Sequence, residues 1–362
     1  MTQSTRRALR IYAGPKARAH IREKGLLPDH IDVIPGAAGG PKGLILGAID
    51  RLLFGDWLPK SNHPIHLVGA SIGAWRMATA CLSSPIEGFI RLEHDYVHQD
   101  YALEPGRKRP TAQQVSSTFQ ENLQSFYSGR IVEVLQHSRY RLHVLCSRGK
   151  RILNREHPIF TPLGYAIAYL SNACSRRWLG LWLERTVFSS PEIKGHNEHP
   201  FTTDDFRSLI LPLTEENFLQ VIQASCSIPF ALNAVPAISG APAGAFWDGG
   251  ITDYHLHLGY KGLVLYPHFQ RAIVPGWLDK QLRSRHRPTP FLDNTIVLAP
   301  DPSWVQRLPN QKLPDRTDFL TYSSDLKSRI RNWKIAIAES QRLADELNEW
   351  LIRLDPDRVE AL

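Results

Sequence analysis

Residues 34–81 read IPGAAGGPKGLILGAIDRLLFGDWLPKSNHPIHLVGASIGAWRMATAC and contain two turns that each lead from an apolar segment into a helical pattern. The second turn, GASIG at residues 69–73, has the form GxSxG and follows the strand-like sequence IHLV. A serine on such a turn projects its hydroxyl beyond the carboxyl edge of a sheet, and the flanking glycines leave room for backbone or substrate. The helix that follows would direct its free N–H groups toward the same point. Ser71 is therefore a candidate nucleophile, although GxSxG alone also fits a turn that serves close packing.

The first turn, GGPKG at residues 39–43, is a candidate oxyanion hole for that nucleophile. Backbone N–H groups stabilise the negative charge that develops on a carbonyl oxygen under attack. Pro41 has no N–H group, so we expect the donors to be Gly39, Gly40 and Lys42. A phosphate-binding loop is the alternative, but the turn lacks the GxxxxGK[ST] spacing of a nucleotide-binding P-loop.

The candidate base is either a histidine or Asp248. Asp248 follows the short apolar segment Phe246-Trp247 and precedes Gly249 and Gly250, which places a carboxylate at a strand end. Fifteen histidines leave a Ser-His-Asp triad open. An α/β-hydrolase triad needs about five strands before its nucleophile, whereas one or two fit before Ser71. The sequence therefore favours a serine–aspartate dyad.

These segments together resemble the patatin-like phospholipases. AAGGPKG at residues 37–43 matches the family's DGGGxRG, GASIG at 69–73 matches GxSxG, ASCSIP at 224–229 matches a third block, and DGG at 248–250 matches the block with the dyad aspartate. The resemblance implies a three-layer α/β/α fold with a mostly parallel central sheet. It also implies a carboxylic ester hydrolase that acts on lipid acyl esters through a dyad and an acyl-enzyme, without metal or organic cofactor.

The resemblance assigns roles residue by residue, and it has departures. Ser71 and Asp248 correspond to the catalytic dyad; the supporting glycines are Gly43, Gly69, Gly73, Gly249 and Gly250. Ala37 and Ala38 stand where the family has Asp and Gly, and Lys42 replaces the usual Arg. These differences all fall on the oxyanion loop and leave the dyad unchanged.

The pattern along the chain predicts a catalytic domain at residues 31–260 that carries a helical or cap insertion at 85–205. Residues 1–30 are expected as an N-terminal extension, and residues 261–362 as strands and a long helix that complete the fold. Within the insertion, residues 165–187 are rich in aromatic and small residues with interspersed arginines. They predict a cap helix whose apolar face lines an acyl pocket or rests on a bilayer. A core helix with a basic outer face is the alternative.

The composition limits the classes of partner that the protein is expected to bind. The 43 Lys and Arg residues exceed the 35 Asp and Glu residues, for a formal charge of +8, which favours anionic surfaces. The basic residues are mostly scattered, and no zinc-ligand spacing or RNA-binding aromatic motif accompanies them, so no nucleic-acid partner is expected. Peripheral contact with an anionic membrane is the expected association.

The location predicted from the sequence is cytoplasmic. The N-terminal residues lack the apolar core of a signal peptide, and no run of about 18 uncharged apolar residues predicts a membrane-spanning helix. The four cysteines lie far apart in apolar or small-residue contexts, which is typical of reduced core thiols.

Two other functions remain open from the sequence. One is an esterase or thioesterase that acts on shorter acyl chains, which a shorter and closed pocket would favour. The other is a catalytically idle lipid-binding protein on the same fold. The sequence makes no prediction of the oligomeric state.

Overall fold

The computed structural model describes residues 7–101, 109–192 and 199–362. Within these residues the strands form one large sheet and one two-stranded ribbon. Parts of the predicted segments 1–30 and 85–205 therefore lie outside the described residues. The strands are β1 (Leu9–Ala13), β2 (Ile31–Gly36), β3 (Ile65–Ala70), β4 (Tyr140–Gly149), β5 (Leu183–Ser189), β6 (Phe201–Thr202), β7 (Ser208–Pro212), β8 (Phe246–Asp248), β9 (Gly259–Tyr260), β10 (Leu263–Pro267), β11 (Thr295–Pro300) and β12 (Val359–Ala361).

The large sheet has the strand order β12-β1-β11-β10-β2-β3-β4-β5-β7, with β8 beside β4. The five strands from β11 to β4 run parallel to one another. The pair β1 and β12 is antiparallel to β11 at one end, and the pair β5 and β7 is antiparallel to β4 at the other. The expectation of a mostly parallel central sheet is confirmed.

Helices cover both faces of this sheet, and the apolar strands at its centre are accordingly buried on both sides. Every residue of β3, β10 and β11 is buried, as in parallel strands that have helices on either side. The three-layer α/β/α fold is thereby confirmed. The helices are α1 (Pro15–Lys24), α2 (Gly47–Leu52), α3 (Ile72–Ala80), α4 (Pro85–Val97), α5 (Ala112–Tyr127), α6 (Ile131–Leu135), α7 (Phe160–Cys174), α8 (Arg176–Leu179), α9 (Phe218–Cys226), α10 (Gly250–Asp253), α11 (Pro302–Val305), α12 (Asp318–Thr321) and α13 (Leu326–Ile352).

Residues 165–187 do not form one helix. Helix α7 ends at Cys174, because Ser175 has extended backbone angles, and the short α8 follows before β5 begins at Leu183. β5 pairs with β4 over seven positions, so tertiary hydrogen bonding decides the conformation of its sequence LERTVFS. The interval 85–205 therefore supplies two strands of the central sheet in addition to its helices.

The C-terminal helix is also divided. The long helix predicted within residues 261–362 corresponds to α12 and α13, which are separated by residues 322–325. The Asp325 side chain accepts a hydrogen bond from the Ser328 N–H at 3.0 Å and so caps the second helix. Trp333, Leu343 and Trp350 lie on the buried side of α13, at helical spacing.

The four cysteines are unpaired, as expected. Cys81 and Cys146 are buried and Cys226 is partly buried, whereas Cys174 is exposed at the end of α7. The expectation of a core position is therefore wrong for Cys174, because its place on the helix faces solvent.

A buried ion pair connects the two helices that follow the glycine-rich turns. Arg76 on α3 donates through Nε and Nη2 to the two carboxylate oxygens of Asp50 on α2, both at 2.7 Å. The two side chains are 2% and 1% exposed. Loss of one partner from such a pair leaves an uncompensated charge in the core, which is far more costly than loss of a surface pair.

We expect Asp50→Ala to lower the free energy of unfolding by about 3–5 kcal/mol, because it leaves the Arg76 guanidinium buried and unpaired. Urea denaturation followed by circular dichroism measures the change. Asp56→Ala is the matched control: it breaks an ion pair with Lys60 in which both side chains are 59% exposed, and should cost about 1 kcal/mol or less. Equal effects of the two substitutions would contradict the assigned role of the buried pair.

Candidate active site

Strand β4 brings the candidate nucleophile and the candidate base together. Its first half pairs with β3, where Leu145 lies opposite Ala70. The next residue, Cys146, lies opposite Asp248 of β8. Because β5 occupies the other edge of β4 at this position, β8 continues along the edge that β3 leaves free. Ser71 directly follows Ala70, so the register of two ladders on one strand places Ser71 beside Asp248.

Ser71 lies in a strained turn between β3 and α3. Its φ of 57° falls in the left-handed region, which side chains other than glycine rarely adopt and which is typical of functional turns. The turn packs closely against neighbouring backbone: a Cβ atom built on Gly73 would lie 1.8 Å from the carbonyl oxygen of Gly36. A Cβ atom on Gly69 would lie 2.5 Å from Cα of Ala74. Both glycines of the GxSxG sequence are therefore required by space.

The side chain of a second serine, Ser225, fixes the backbone of this turn. The Ser71 N–H donates to Ser225 Oγ at 3.0 Å, and the Ser225 hydroxyl donates to the carbonyl oxygen of Leu145 at 2.7 Å. Ser225 belongs to the ASCSIP segment and lies at the end of α9. Its bond to Leu145 ties the turn to β4, so the same strand positions the backbone as well as the base.

The Ser71 hydroxyl donates a hydrogen bond to Oδ2 of Asp248 at 2.6 Å. The other carboxylate oxygen, Oδ1, accepts from the Gly250 N–H at 2.7 Å. In the described part of the chain, no histidine hydrogen-bonds to the Ser71 hydroxyl. A Cβ atom on Gly249 would lie 2.1 Å from the Leu145 carbonyl oxygen, and one on Gly250 would lie 2.5 Å from Cβ of Ala38. The DGG sequence therefore fits a turn without room for side chains.

The Asp248 carboxylate is buried, and its environment sets its basicity. Burial raises its pKa above the ordinary value, while the positive charge of Arg316 and the hydrogen bonds from Ser71 and Gly250 act against that rise. A raised pKa makes a carboxylate a stronger base while it remains ionised near neutral pH. The Ser71 hydroxyl therefore donates to a buried carboxylate of raised pKa rather than to an imidazole.

Arg316 and Lys280 act on the Asp248 carboxylate, and Lys42 in turn acts on Lys280. Burial, together with the charges of Arg316 and Lys42, lowers the pKa of Lys280 to about 7. The Lys280 ammonium lies 4.0 Å from the ring centroid of Tyr254. Burial also lowers the pKa of Lys42, whose ammonium lies 5.3 Å from the ring centroid of Phe269. The mutual repulsion of these groups makes the site favourable for an anionic ligand.

The predicted oxyanion loop leaves the sheet at the same edge as Ser71. Gly36 at the end of β2 pairs with Gly69 of β3, and the chain then forms a 3₁₀ turn at Gly40–Leu46. The first N–H groups of such a turn have no acceptor within it. Gly40 has a φ of 56° and lines the same cavity as Ser71.

Two side-chain contacts fix this loop. The ring of Phe269 packs on Gly39, where a Cβ atom would lie 2.5 Å from Cε1. A Cβ atom on Gly43 would lie 3.2 Å from Cγ1 of Ile72, on the helix that follows the nucleophile. The structure thus brings Gly40 into the cavity of Ser71, whereas the Lys42 side chain lies against Phe269.

The cavity beside Ser71 has a volume of about 720 Å³. Its wall is largely apolar and aromatic, and includes Trp75, Val115, Phe119, Ile228 and Leu232. Arginines also line it: Arg109, Arg316 and Arg329. Such a cavity is within the range that holds a small organic ligand or an acyl chain. In the described ranges, no cluster of three or more His, Cys, Asp or Glu residues has metal-binding geometry.

Sequence reasoning missed three of the residues that shape the site. Ser225 lay within a recognised segment, but its contact with Ser71 spans 154 positions and had no local signal. Arg316 lies in a proline-containing connection, and Lys280 in a basic loop. Their approach to Asp248 depends on how distant loops fold over the sheet edge, which neither hydrophobic periodicity nor motif spacing encodes.

Comparison with known proteins adds little to this picture. No protein-family model matches the chain, and no curated protein does. The solved structure of VipD from Legionella pneumophila is similar, with a TM-score of 0.35 and 15% sequence identity over 96% of this chain and 72% of VipD. The fold and the candidate site are therefore defined by the geometry of this chain alone.

We expect Arg316→Gln to raise the pKa of Asp248, because it removes the positive charge that opposes the effect of burial. Modification of Ser71 by a fluorophosphonate needs the ionised carboxylate, so its rate falls as the pH drops through this pKa. In the variant the fall should move to higher pH.

Arg109→Gln is the control, since its exposed side chain lines the same cavity. It should leave the pH dependence of modification unchanged. A shift to lower pH in Arg316→Gln, or equal shifts in both variants, would contradict the electrostatic role of Arg316.

Proposed function

We propose that this protein is a serine acyl hydrolase that cleaves acyl esters of lipids, such as a phospholipid or lysophospholipid, through a dyad of Ser71 and Asp248. The observation that carries the proposal is the 2.6 Å hydrogen bond from the Ser71 hydroxyl to a buried carboxylate. Nucleophile and base within hydrogen-bond reach, with the base held by a third group, form the constellation of covalent hydrolytic catalysis. Here the third group is the Gly250 N–H.

The first half-reaction forms an acyl-enzyme. Ser71 Oγ attacks the ester carbonyl carbon as its proton passes to Asp248. The tetrahedral oxyanion is stabilised by N–H groups of the loop at Gly39, Gly40 and Lys42, and by the N-terminal end of α3. The intermediate collapses, the bond to the alcohol oxygen breaks, and Asp248 returns the proton to that oxygen as the alcohol leaves.

The second half-reaction restores the enzyme. Asp248, ionised again, takes a proton from a water molecule that attacks the acyl carbon of the Ser71 ester. The second tetrahedral intermediate uses the same N–H groups. It collapses with return of the proton to Ser71 Oγ and release of the fatty acid. This sequence needs no metal or organic cofactor.

The lining of the cavity supports a lipid as the substrate. Its apolar and aromatic wall suits an acyl chain, and Arg316 adds a positive charge beside the reacting groups. Arg316 is partly exposed and forms no ion pair with another described residue. Arginine binds phosphate oxygens in a bidentate manner, so a phosphate-bearing alcohol is the leaving group that this arrangement favours.

We expect the purified protein to hydrolyse p-nitrophenyl esters, with higher kcat/KM for long acyl chains than for acetate, because long chains fill the apolar cavity. Ser71→Ala and Asp248→Asn should each lower kcat by about a thousandfold or more, since each removes one half of the dyad. Spectrophotometric release of p-nitrophenol measures both effects, with Ser239→Ala as the control on a serine outside the cavity.

Other outcomes of this assay decide between the remaining functions. Activity that survives Asp248→Asn but not Ser71→Ala would indicate a histidine base. Preference for short chains would favour an esterase or thioesterase. A folded protein that hydrolyses none of the esters and resists fluorophosphonate would be a lipid-binding protein on this fold.

If the leaving group bears a phosphate, Arg316→Gln should have a second effect, on substrate binding. The KM for lysophosphatidylglycerol should rise by about tenfold or more, while the KM for a monoacylglycerol of the same chain should change less than about twofold. Fatty-acid release measures both rates. Equal changes in KM for the two substrates would show that Arg316 does not contact the phosphate.

A further inference from the structure

Exposed apolar side chains are concentrated in one part of the surface. Seventeen large apolar side chains are exposed in the described residues, and seven of them lie between residues 152 and 181. These seven, which we call the α7 face, are 37–69% exposed: Ile152, Ile159, Phe160, Leu163, Leu170, Trp178 and Leu181. Scattered exposed apolar residues are ordinary, but a concentration of this kind indicates an interaction surface.

The pattern on α7 itself is the reverse of an ordinary surface helix. Ile159, Leu163 and Leu170 recur at helical spacing on the side that faces solvent, whereas Tyr165 and Asn172 are buried on the other side. The sequence of α7, FTPLGYAIAYLSNAC, contains no Asp, Glu, Lys or Arg. A helix on a protein surface usually presents charged residues to water. The exposed apolar stripe of α7 therefore has the composition of a buried surface, but none of the described residues covers it.

Neighbouring segments extend this stripe sideways. Trp182 Nε1 donates to Ser171 Oγ at 2.9 Å, which holds the segment with Trp178 and Leu181 beside the C-terminal half of α7. Cγ1 of Ile152 lies 3.2 Å from a Cβ atom built on Gly164 of the same helix. The segments that carry Ile152, Trp178 and Leu181 thus pack beside α7.

Positive charges surround the α7 face. Arg151, Arg155 and Arg177 are exposed on the segments that flank α7. The nearby Glu156 carboxylate accepts the Ala234 N–H at 2.9 Å, which directs it toward the protein. An apolar surface with arginines at its margin matches the head-group region of an anionic membrane, where aliphatic and Trp side chains insert and arginines meet lipid phosphates.

Helix α7 adjoins the cavity of Ser71 through Tyr165. Phe230 lines that cavity, is 62% exposed, and its ring centroid lies 6.0 Å from that of Tyr165 on α7. Phe230 also has a φ of 69°, a strained conformation that keeps its ring at the surface. Phe230 is therefore the side chain through which the cavity and helix α7 come into contact.

We propose that the α7 face docks on anionic bilayers, with α7 lying in the plane of the head groups and the cavity opening toward the lipid. The occupant is a lipid surface because the exposed apolar stripe and its arginine margin are complementary to that surface in both polarity and charge. The 15 residues of α7 are too few to span a bilayer, and no other helix in the described ranges is long and apolar enough to do so. The role in substrate delivery rests on the proposed function, whereas the docking itself does not.

The test uses the full chain with Ser71→Ala, so that lipid is not consumed, and sedimentation with vesicles. We expect binding to phosphatidylcholine vesicles that contain phosphatidylserine, and weaker binding to pure phosphatidylcholine. Leu163→Asn combined with Leu170→Gln should lower the partition coefficient by at least about tenfold on both. Arg155→Gln combined with Arg177→Gln should lower it by about tenfold only where phosphatidylserine is present.

Leu27→Gln combined with Ile352→Gln is the matched control, because these side chains are similarly exposed but lie outside the α7 face. It should leave vesicle binding unchanged. Absence of vesicle binding, or equal losses in the control and the Leu163/Leu170 variant, would overturn the proposal. A dimer in light scattering that only the Leu163/Leu170 variant dissociates, without vesicle binding, would assign the face to a second copy.

Hydrolysis of the water-soluble p-nitrophenyl butyrate separates this proposal from the proposed function. With Ser71 intact, the Leu163/Leu170 variant should keep its rate on this ester, since the substitutions lie on the surface. If wild type hydrolyses none of the p-nitrophenyl esters, long chains included, but binds vesicles as described, the proposed function fails and the docking surface stands.

Discussion

The hydrogen-bond ladder along one edge of β4 is the constraint on which the rest of the site depends. Parallel pairing with β3 ends at Leu145, and antiparallel pairing with β8 begins at Cys146. A slip of one residue in either ladder would turn Asp248 to the opposite face of the sheet, because side chains alternate along a strand. The closely packed glycines around Ser71 and Asp248 secure this register, since none of these positions has room for a side chain.

The electrostatics of the dyad balance two opposing demands. In the proposed function, Asp248 must bind protons well, which its burial promotes, and it must remain ionised, which Arg316 and the Gly250 N–H promote. The same arginine lines the apolar cavity. One side chain therefore links the basicity of the carboxylate to the charge that an incoming ligand meets.

Local features of this protein were predictable from its sequence, and long-range ones were not. The turn at Ser71 and the strand end at Asp248 have short signals made of glycines beside apolar residues, and the three-layer fold was implied by the resemblance that these segments carry. The strand β5 was read as part of a helix, because its sequence acquires strand structure only through pairing with β4. Ser225 lies 154 positions from its partner Ser71, and Arg316 acts on Asp248 from a separate loop, so the contribution of neither residue has a sequence period.

The separation of Ser71 and Asp248 along the chain has a consequence for biosynthesis. The two residues lie 177 positions apart, and β4, which aligns them, lies between. A ribosome must therefore release residues well beyond Asp248 before a pairing of such high sequence separation can form. A growing or truncated chain carries the serine turn without its carboxylate partner. In the proposed function, an unfinished chain would be unable to attack the lipids of its own cell.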